Sequence, residues 1–392
     1  MEQPLFALNN RQRACLGLAP VLPHWELVRL TPSPYDTDEA FAYIEGTRIR
    51  KLIRVSEENY QEYAMDETLS DDGAFILPKT TKGKPVKLTA ATLDKKPPVG
   101  MVLSWQRNYL TIYNNTSQQS YYRSSVDEPA LSLKTMADFR TWLDKWCAET
   151  TEADMLDAAA FAVRPRIHQK FREGDFFRFR IDRRHWGYGR ILLDYAAMRK
   201  QGVEFWDVFF GKPLVIAVYH LMTAEPLADI EALAGLPTLP SQFIMDNVFY
   251  YGEAEIIGHK PLTPAEEDFP INYGMSKNSR EKVLYLQCGR LCRKIEGGQE
   301  LFRSDSIEDF SFGGIGFQIF ARVSVLDACI RAVSNRPYWE QERWAQNQRD
   351  LRNPRLKAER EAIFAQFGLH AADFVREEKP TQTSIFNRFK KS

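Results

Sequence analysis

From residue 177 to residue 182 the chain changes character at every step: Phe177, Phe179 and Ile181 alternate with Arg178, Arg180 and Asp182. A period of two puts the apolar side chains on one side of an extended backbone and the charged ones on the other, which makes this stretch a half-buried β-strand. Strand signals recur along the whole sequence. FAYIEGTRIRKLIRVSE (41–57) carries two apolar runs about a Glu45-Gly46 turn, a hairpin signature. GAFILPKTTKGKPVKLT (73–89) repeats it with Lys82-Gly83 near the turn, and VGMVLSWQRNYLTIYNNTSQQSYYRSS (99–125) supplies two or three more strands. Further on, ILLDY after Gly187 and Gly189, PLVIAVYHLM (213–222), NVFYYGEAEIIG (247–258) and VLYLQCGRLCRKI (283–295) read as strands, and FGGIGFQIF (312–320) as the glycine-rich start of a last one.

Helical periodicity intrudes at few places. In LKTMADFRTWLDKWCAE (133–149) it sets Met136, Phe139, Trp142, Leu143 and Trp146 on one face, a stripe that packs into a core. NNRQRACL (9–16) begins a short helix with Asn9 or Asn10 as its cap. ADMLDAAAFAVRPR (153–166) is Ala-rich and is stopped or kinked by Pro165. VSVLDACIRAV (323–333) presents Val325, Leu326, Cys329 and Ile330 on one face. The expected fold class is therefore α+β: two domains built on mainly antiparallel sheets, or partly open barrels, with packing helices and a charged helical C-terminal extension. The expected boundaries are 1–150, 151–335, an extension at 336–376 forming exposed helices broken at Pro354, and a disordered tail at 377–392.

With 52 basic and 52 acidic residues the net charge is zero, so a broadly basic nucleic-acid binder is excluded and nucleic acid is not an expected partner. Five cysteines suit reduced thiols in a cytoplasm better than a disulfide framework. The N-terminus lacks the apolar core of a leader, and no run approaches the ~18 apolar residues of a membrane span, so a cytoplasmic location is expected. The charge is nonetheless segregated. Residues 161–200 hold eleven Lys/Arg against four Asp/Glu, and residues 201–259 hold one against eight. Either the two segments pair with each other across a sheet, or one surface is acidic. On the second reading Trp206, Asp207, Asp246, Tyr250, Tyr251, Glu253 and Glu255, with Phe209, Phe210 and Phe249 among them, suit docking onto a basic protein active site. Carboxylates would stand in for phosphates and aromatics would supply anchoring area.

Catalytic patterns are missing. The six histidines never fall at i, i+2 or i, i+4, and Cys288 and Cys292 read as buried residues on one strand face. There is no G-x-S-x-G and no phosphate-binding loop, and Gly313-Gly314-Ile315-Gly316 reads as a bulge or turn. No catalytic residue, metal or cofactor is expected. Arg178, Arg180, Arg183, Arg184 and Arg190 lie among aromatics that could stack on RNA, but a solvated strand face accounts for them better.

Glu173-Gly174-Asp175-Phe176-Phe177-Arg178-Phe179-Arg180-Ile181, followed by Tyr188-Gly189-Arg190-Ile191-Leu192, resembles the opening of the immunity protein 26 family. WDVFFGKPLVIAVYHL (206–221), LPSQFIMDNVFYYGEAEIIG (239–258) and DFPINYG (268–274) are similar to its longer members, so that the likeness spans about 170–335. The resemblance implies a non-enzymatic immunity protein that neutralises a cognate bacterial toxin domain by tight stoichiometric binding. Gly174, Asp175, Tyr188, Gly189 and Arg190 are expected to be structural: Gly174 in a left-handed or bulged conformation, Asp175 capping the turn, Gly189 letting Tyr188 lie flat. Part of the family carries a phosphotriesterase label, which implies as an alternative a metal-dependent hydrolase with a His/Asp cluster. In the tail, Gln382, Ile385 and Phe386 within Gln-Thr-Ser-Ile-Phe resemble the peptide by which bacterial proteins dock on the replication sliding clamp, a second alternative.

Overall fold

The computed structural model describes residues 3–32, 38–76, 79–124, 130–204, 212–227, 229–275, 283–301, 314–315, 319–320, 339 and 350–375. The chain divides into two units. The first comprises Met1–His168 with Ile181–Arg184 and Tyr251–Glu253; the second comprises Gln169–Arg180, His185–Tyr250 and Ala254–Ser392. Both are α+β with mainly antiparallel sheets, none of them closed into a barrel among the described residues.

In the first unit β1 (Glu26–Arg29), β2 (Glu39–Glu45), β3 (Arg48–Ser56), β4 (Asn59–Thr68), β7 (Val99–Gln106), β8 (Tyr109–Asn114) and β9 (Gln119–Arg123) form one antiparallel meander in that order. A two-stranded ribbon, β5 (Ala74–Phe75) with β6 (Val86–Lys87), fills the excursion between β4 and β7. The Glu45-Gly46 hairpin forms as expected: Glu45 pairs with Arg48, and Gly46 takes the left-handed conformation (φ +60°) that the turn demands. Three helices cover one face: α1 (Asn10–Cys15), α3 (Met136–Glu149) and α4 (Glu152–Ala162), while α2 (Ala90–Leu93) lies on the other. Each of the three begins with a capping box, Asn9 with Gln12, Thr135 with Asp138 and Thr151 with Asp154, which satisfies backbone donors left open by the first turn. The aromatic stripe of α3 is wholly buried, and Phe139 stacks on Trp105 of β7 with ring centroids 4.9 Å apart.

Under α1 the sheet holds a buried ionic network that the sequence did not disclose. Glu62 of β4 accepts from Lys51 Nζ (2.6 Å), Arg13 Nε (2.7 Å) and the Tyr60 hydroxyl (2.6 Å), and Lys51 also donates to the Ala19 carbonyl (2.7 Å). Burial alone would raise the Glu62 carboxyl, but Lys51 and Arg13 outweigh it and hold the group below the usual carboxylate range. Residues 8–19 are thereby fixed to β3 and β4 by charge as well as by packing.

In the second unit the described strands make a six-stranded sheet, ordered β14 (Ala254–His259), β10 (Asp175–Asp182), β11 (His185–Asp194), β12 (Pro213–Thr223), β13 (Gln242–Met245), β19 (Ile319–Phe320), and a four-stranded one, ordered β17 (Leu291–Glu296), β16 (Val283–Cys288), β15 (Ile271–Met275), β18 (Gly314–Ile315). The β13–β19 pair is parallel. Helices α5 (Tyr195–Lys200), α6 (Ile230–Ala234), α7 (Asn247–Tyr250) and α8 (Lys357–Gln366) complete the described part.

Three expectations change here. VLYLQCGRLCRKI is not one strand but the β16–β17 hairpin, turning at Gly289 (φ +55°), so Cys288 and Cys292 sit on neighbouring strands. NVFYYGEAEIIG begins as the short helix α7 before β14. The described part of the C-terminal extension, 350–375, is helical but not fully exposed. Leu351, Ile363, Phe364 and Ala371 pack with Ile271, Tyr273, Leu284 and Leu286, and two of its arginines, Arg352 and Arg360, are buried. Arg352 donates to Ser241 Oγ (2.8 Å), the Ser241 carbonyl (2.7 Å), Asp268 (2.8 Å) and Asp350 (2.7 Å), and Arg360 to the Leu351 carbonyl (2.7 Å). The helix expected at 323–333 lies outside the described residues.

Candidate interaction surface

The glycines and tyrosine of the Gly-Tyr-Gly run organise β10 and β11 around two opposite faces. On one face a Cβ at Gly189 would run into the Phe177 ring and lie 2.8 Å from the Ala217 carbonyl, and a Cβ at Gly187 would meet the Phe179 ring. The rings of β10 thus fill the space that the glycines of β11 leave free. Gly189 makes room for Phe177, and not for Tyr188 as expected, because the two residues point to opposite faces. Tyr188 is buried on the second face, where its hydroxyl contacts Thr223 Oγ1 (2.7 Å) and accepts from the Leu227 amide (2.7 Å).

At the start of β10, Gly174 is left-handed (φ +85°), and a Cβ there would collide with the Lys260 carbonyl. Its amide donates to the Ile191 carbonyl (2.7 Å) and its carbonyl accepts from the Lys260 amide (3.1 Å). Asp175, buried, accepts from the Arg172 amide (2.9 Å) and bonds His259 Nδ1 (2.8 Å). Arg190, also buried, pairs with Glu266, donates to the carbonyls of Lys260 (2.7 Å) and Pro261 (3.1 Å), and lies 4.3 Å over the Phe176 ring. Residues 259–266 are therefore clamped onto β10 and β11 by three of the five motif residues, Gly174, Asp175 and Arg190. The Asp175–His259 bond ties the end of β14 to the start of β10 and so orients the loop that follows.

On the second face the described residues close over one end and leave the other half-buried. Phe176, Tyr188 and Tyr219 are sealed by Leu233 of α6. Beyond them Trp186 is half-buried, with the Arg178 guanidinium 5.3 Å and the Arg180 guanidinium 4.7 Å from its ring. Arg178 donates through Nε and Nη2 to Glu255 (2.9 Å each), its direct neighbour across the β10–β14 pair. Leu221 and Ile257, like the tryptophan, pack against the same cluster. A half-buried tryptophan with two arginines over its ring has the composition of a protein–protein anchor.

The residues of the expected acidic–aromatic patch fare differently. Trp206, Asp207, Phe209 and Phe210 lie outside the described residues. Glu255 is paired with Arg178, so pairing between the basic and acidic segments does occur, whereas Asp246 lies 4.0 Å from Lys212 of its own segment. Phe249 is buried against Phe177, with ring centroids 5.2 Å apart. Tyr250 is exposed. Tyr251 and Glu253 belong to the first unit: the Tyr251 carbonyl accepts from Gln119 Nε2 (2.7 Å), and its ring receives Arg166 at 4.7 Å. Burial pushes the Glu253 carboxyl up to about 7, against the opposing pull of Arg123 and the Ser120 amide. Because the folded pKa lies above the unfolded one, the folded state binds more protons between them. Stability from this group is therefore full below the ordinary carboxylate value of 4.5 and is lost as pH rises to about 7. Glu253→Gln is expected to flatten that slope; melting curves from pH 4.5 to 8 that keep the same slope in the variant would refute the assignment.

Of chemistry there is little. Among the described residues no group of three or more His, Cys, Asp or Glu is placed to hold a metal ion. A cavity of about 330 Å³ lined by Glu267, Phe269, Cys288, Arg290 and Phe374 contains a thiol, but burial pushes Cys288 up to about 12 and leaves it protonated. No described helix is long and apolar enough to cross a membrane. Gln382, Ile385 and Phe386 of the tail lie outside the described residues.

Residues 172–283 match the family model described as Immunity protein 26. The match begins two residues before the Gly-Asp pair and ends at the start of β16, short of the full span that the resemblance suggested. No curated protein and no solved structure matches the chain.

Proposed function

We propose that the chain is a cytoplasmic immunity protein of a polymorphic toxin system and neutralises its cognate toxin by stoichiometric binding. The observation that carries this reading is the coincidence of the family match with one continuous piece of architecture, β10 to β15, whose motif residues are all spent on holding the fold. What remains for a partner is surface. The contact is assigned to the half-buried end of the second face, with Trp186 as anchor, Arg178, Arg180 and Glu255 as its polar rim, and Asp246 and Tyr250 as further acidic and aromatic candidates. Trp206 and Asp207 stay in the proposed set from their sequence pattern alone. Inhibition needs occlusion and no turnover, so an interface of roughly 1,600 Å² with two or three such anchors suffices.

The test is recovery of the tagged protein from its native host, with mass spectrometry of what co-elutes. A toxin domain at near-equal stoichiometry supports the reading; the sliding clamp in its place would transfer the function to the tail peptide. With the toxin in hand, Trp186→Ala is expected to weaken binding at least 30-fold, equivalent to about 2 kcal/mol. An unchanged Kd with unchanged melting would remove this face from the interface.

A further inference from the structure

Helix α4 is apolar on both sides. Its inner side, Asp154, Ala158 and Phe161, is buried in the first unit. Ala158 closes on Gly17, Phe161 tilts against Tyr121 at 5.1 Å, and Asn114 Nδ2 donates to the carbonyls of Phe161 (2.8 Å) and Ala162 (3.0 Å) at the helix end. The outer side should be polar on a surface helix. Instead Leu156 is 67% and Val163 82% exposed, with Ala159 and Ala160 exposed between them. The spacing 156, 159, 160, 163 is i, i+3, i+4, i+7, one continuous stripe. Val99 and Ile167 of the same unit are exposed as well, and Gly100, next to Val99, faces the Ala162 carbonyl.

We infer that this stripe is the seam of a two-fold homodimer in which α4 packs antiparallel against α4 of a second copy. The stripe is its own complement. Leu156 and Val163 are equally distant from the point between Ala159 and Ala160, so a two-fold axis there lays each Leu156 on the other copy's Val163. The two alanines fall at the crossing, where small side chains let helices approach within about 8 Å. Charge selects the direction. The segment is acidic where it begins, at Glu149 and Glu152, and basic where it ends, at Arg164 and Arg166. An antiparallel pair sets acid against base at both ends and opposes the helix dipoles favourably; a parallel pair would set like on like. This inference stands apart from the toxin reading, since it concerns a helix outside the family match.

Light scattering on the eluting full chain, loaded from about 1 to 100 µM so as to bracket a micromolar Kd, reads it directly. The mass is expected to climb from 45.4 kDa toward twice that value. Val163→Glu, at a position already in solvent, should weaken the dimer at least 100-fold and leave the melting temperature in place. Ala160→Cys should give a disulfide-linked dimer on mild oxidation, whereas Glu152→Cys should not, because a rise of 1.5 Å per residue puts the two copies of that position roughly 22 Å apart. A monomer at every concentration overturns the inference. So does a dimer that Val163→Glu leaves intact, or cross-linking at 152 in preference to 160.

Discussion

Glu62→Gln is expected to destabilise the first unit by about 3–5 kcal/mol, because it leaves two buried cations with no counter-charge. Arg13 and Lys51 both converge on this carboxylate, whose side chain has no solvent exposure, and neither can turn to water without lifting residues 8–19 off the sheet. Urea unfolding followed by the fluorescence of Trp105, Trp142 and Trp146, all buried in the same core, would register the loss. Acid should act in the same direction. The carboxyl is held below its ordinary pKa, so its contribution is complete above the ordinary carboxylate value and is lost as pH falls through the depressed one. A loss under about 1 kcal/mol would mean that water reaches the network and that its charges are already screened.

Arg352→Met should release the segment 350–375 from the second unit at a cost of about 2–4 kcal/mol, less than for Glu62 because Asp268 is half exposed and can be resolvated. The guanidinium uses Nε and both terminal nitrogens on Asp350, Asp268 and Ser241, partners that a thioether cannot replace. Limited proteolysis and amide exchange are the appropriate readouts, since the expected event is local release of α8 before global unfolding. Arg352→Lys, which keeps the charge but not the planar fork, should fall between the two. Exchange in α8 that is as slow in the Met variant as in the parent would show that Ile363 and Phe364 hold the helix unaided.

What the sequence disclosed follows from the range of each interaction. The α3 stripe, the capped start of α1 and the Glu45-Gly46 hairpin depend on residues within one or two turns of each other, and all three are present. The β16–β17 turn was missed because apolar residues run through it; the Gly289-Arg290 pair was the available signal. Burial of the C-terminal helix was illegible for a different reason. Arg352 counts as a solvated charge until Ser241 and Asp268 are known to face it, and these lie 111 and 84 residues away in sequence. The Asp175–His259 pair, 84 residues apart, was hidden in the same way. In the interaction surface, Arg178 was visible as a residue of a solvated strand face, whereas its sharing of Trp186 with Arg180 and its bond to Glu255 required the strand order.

The alternation of β10 has a consequence for how such a protein can diversify. Phe177 and Phe179 are locked to Gly189 and Gly187, so the inward positions tolerate almost nothing. The intervening outward positions, Arg178 and Arg180, lie over the Trp186 ring, and Arg178 bonds Glu255, so exchanging them alters this face without touching the rings packed on the glycines. A gene encoding this strand therefore carries two independent texts on alternate codons. One is frozen by the interior; the other can change with the surface it presents.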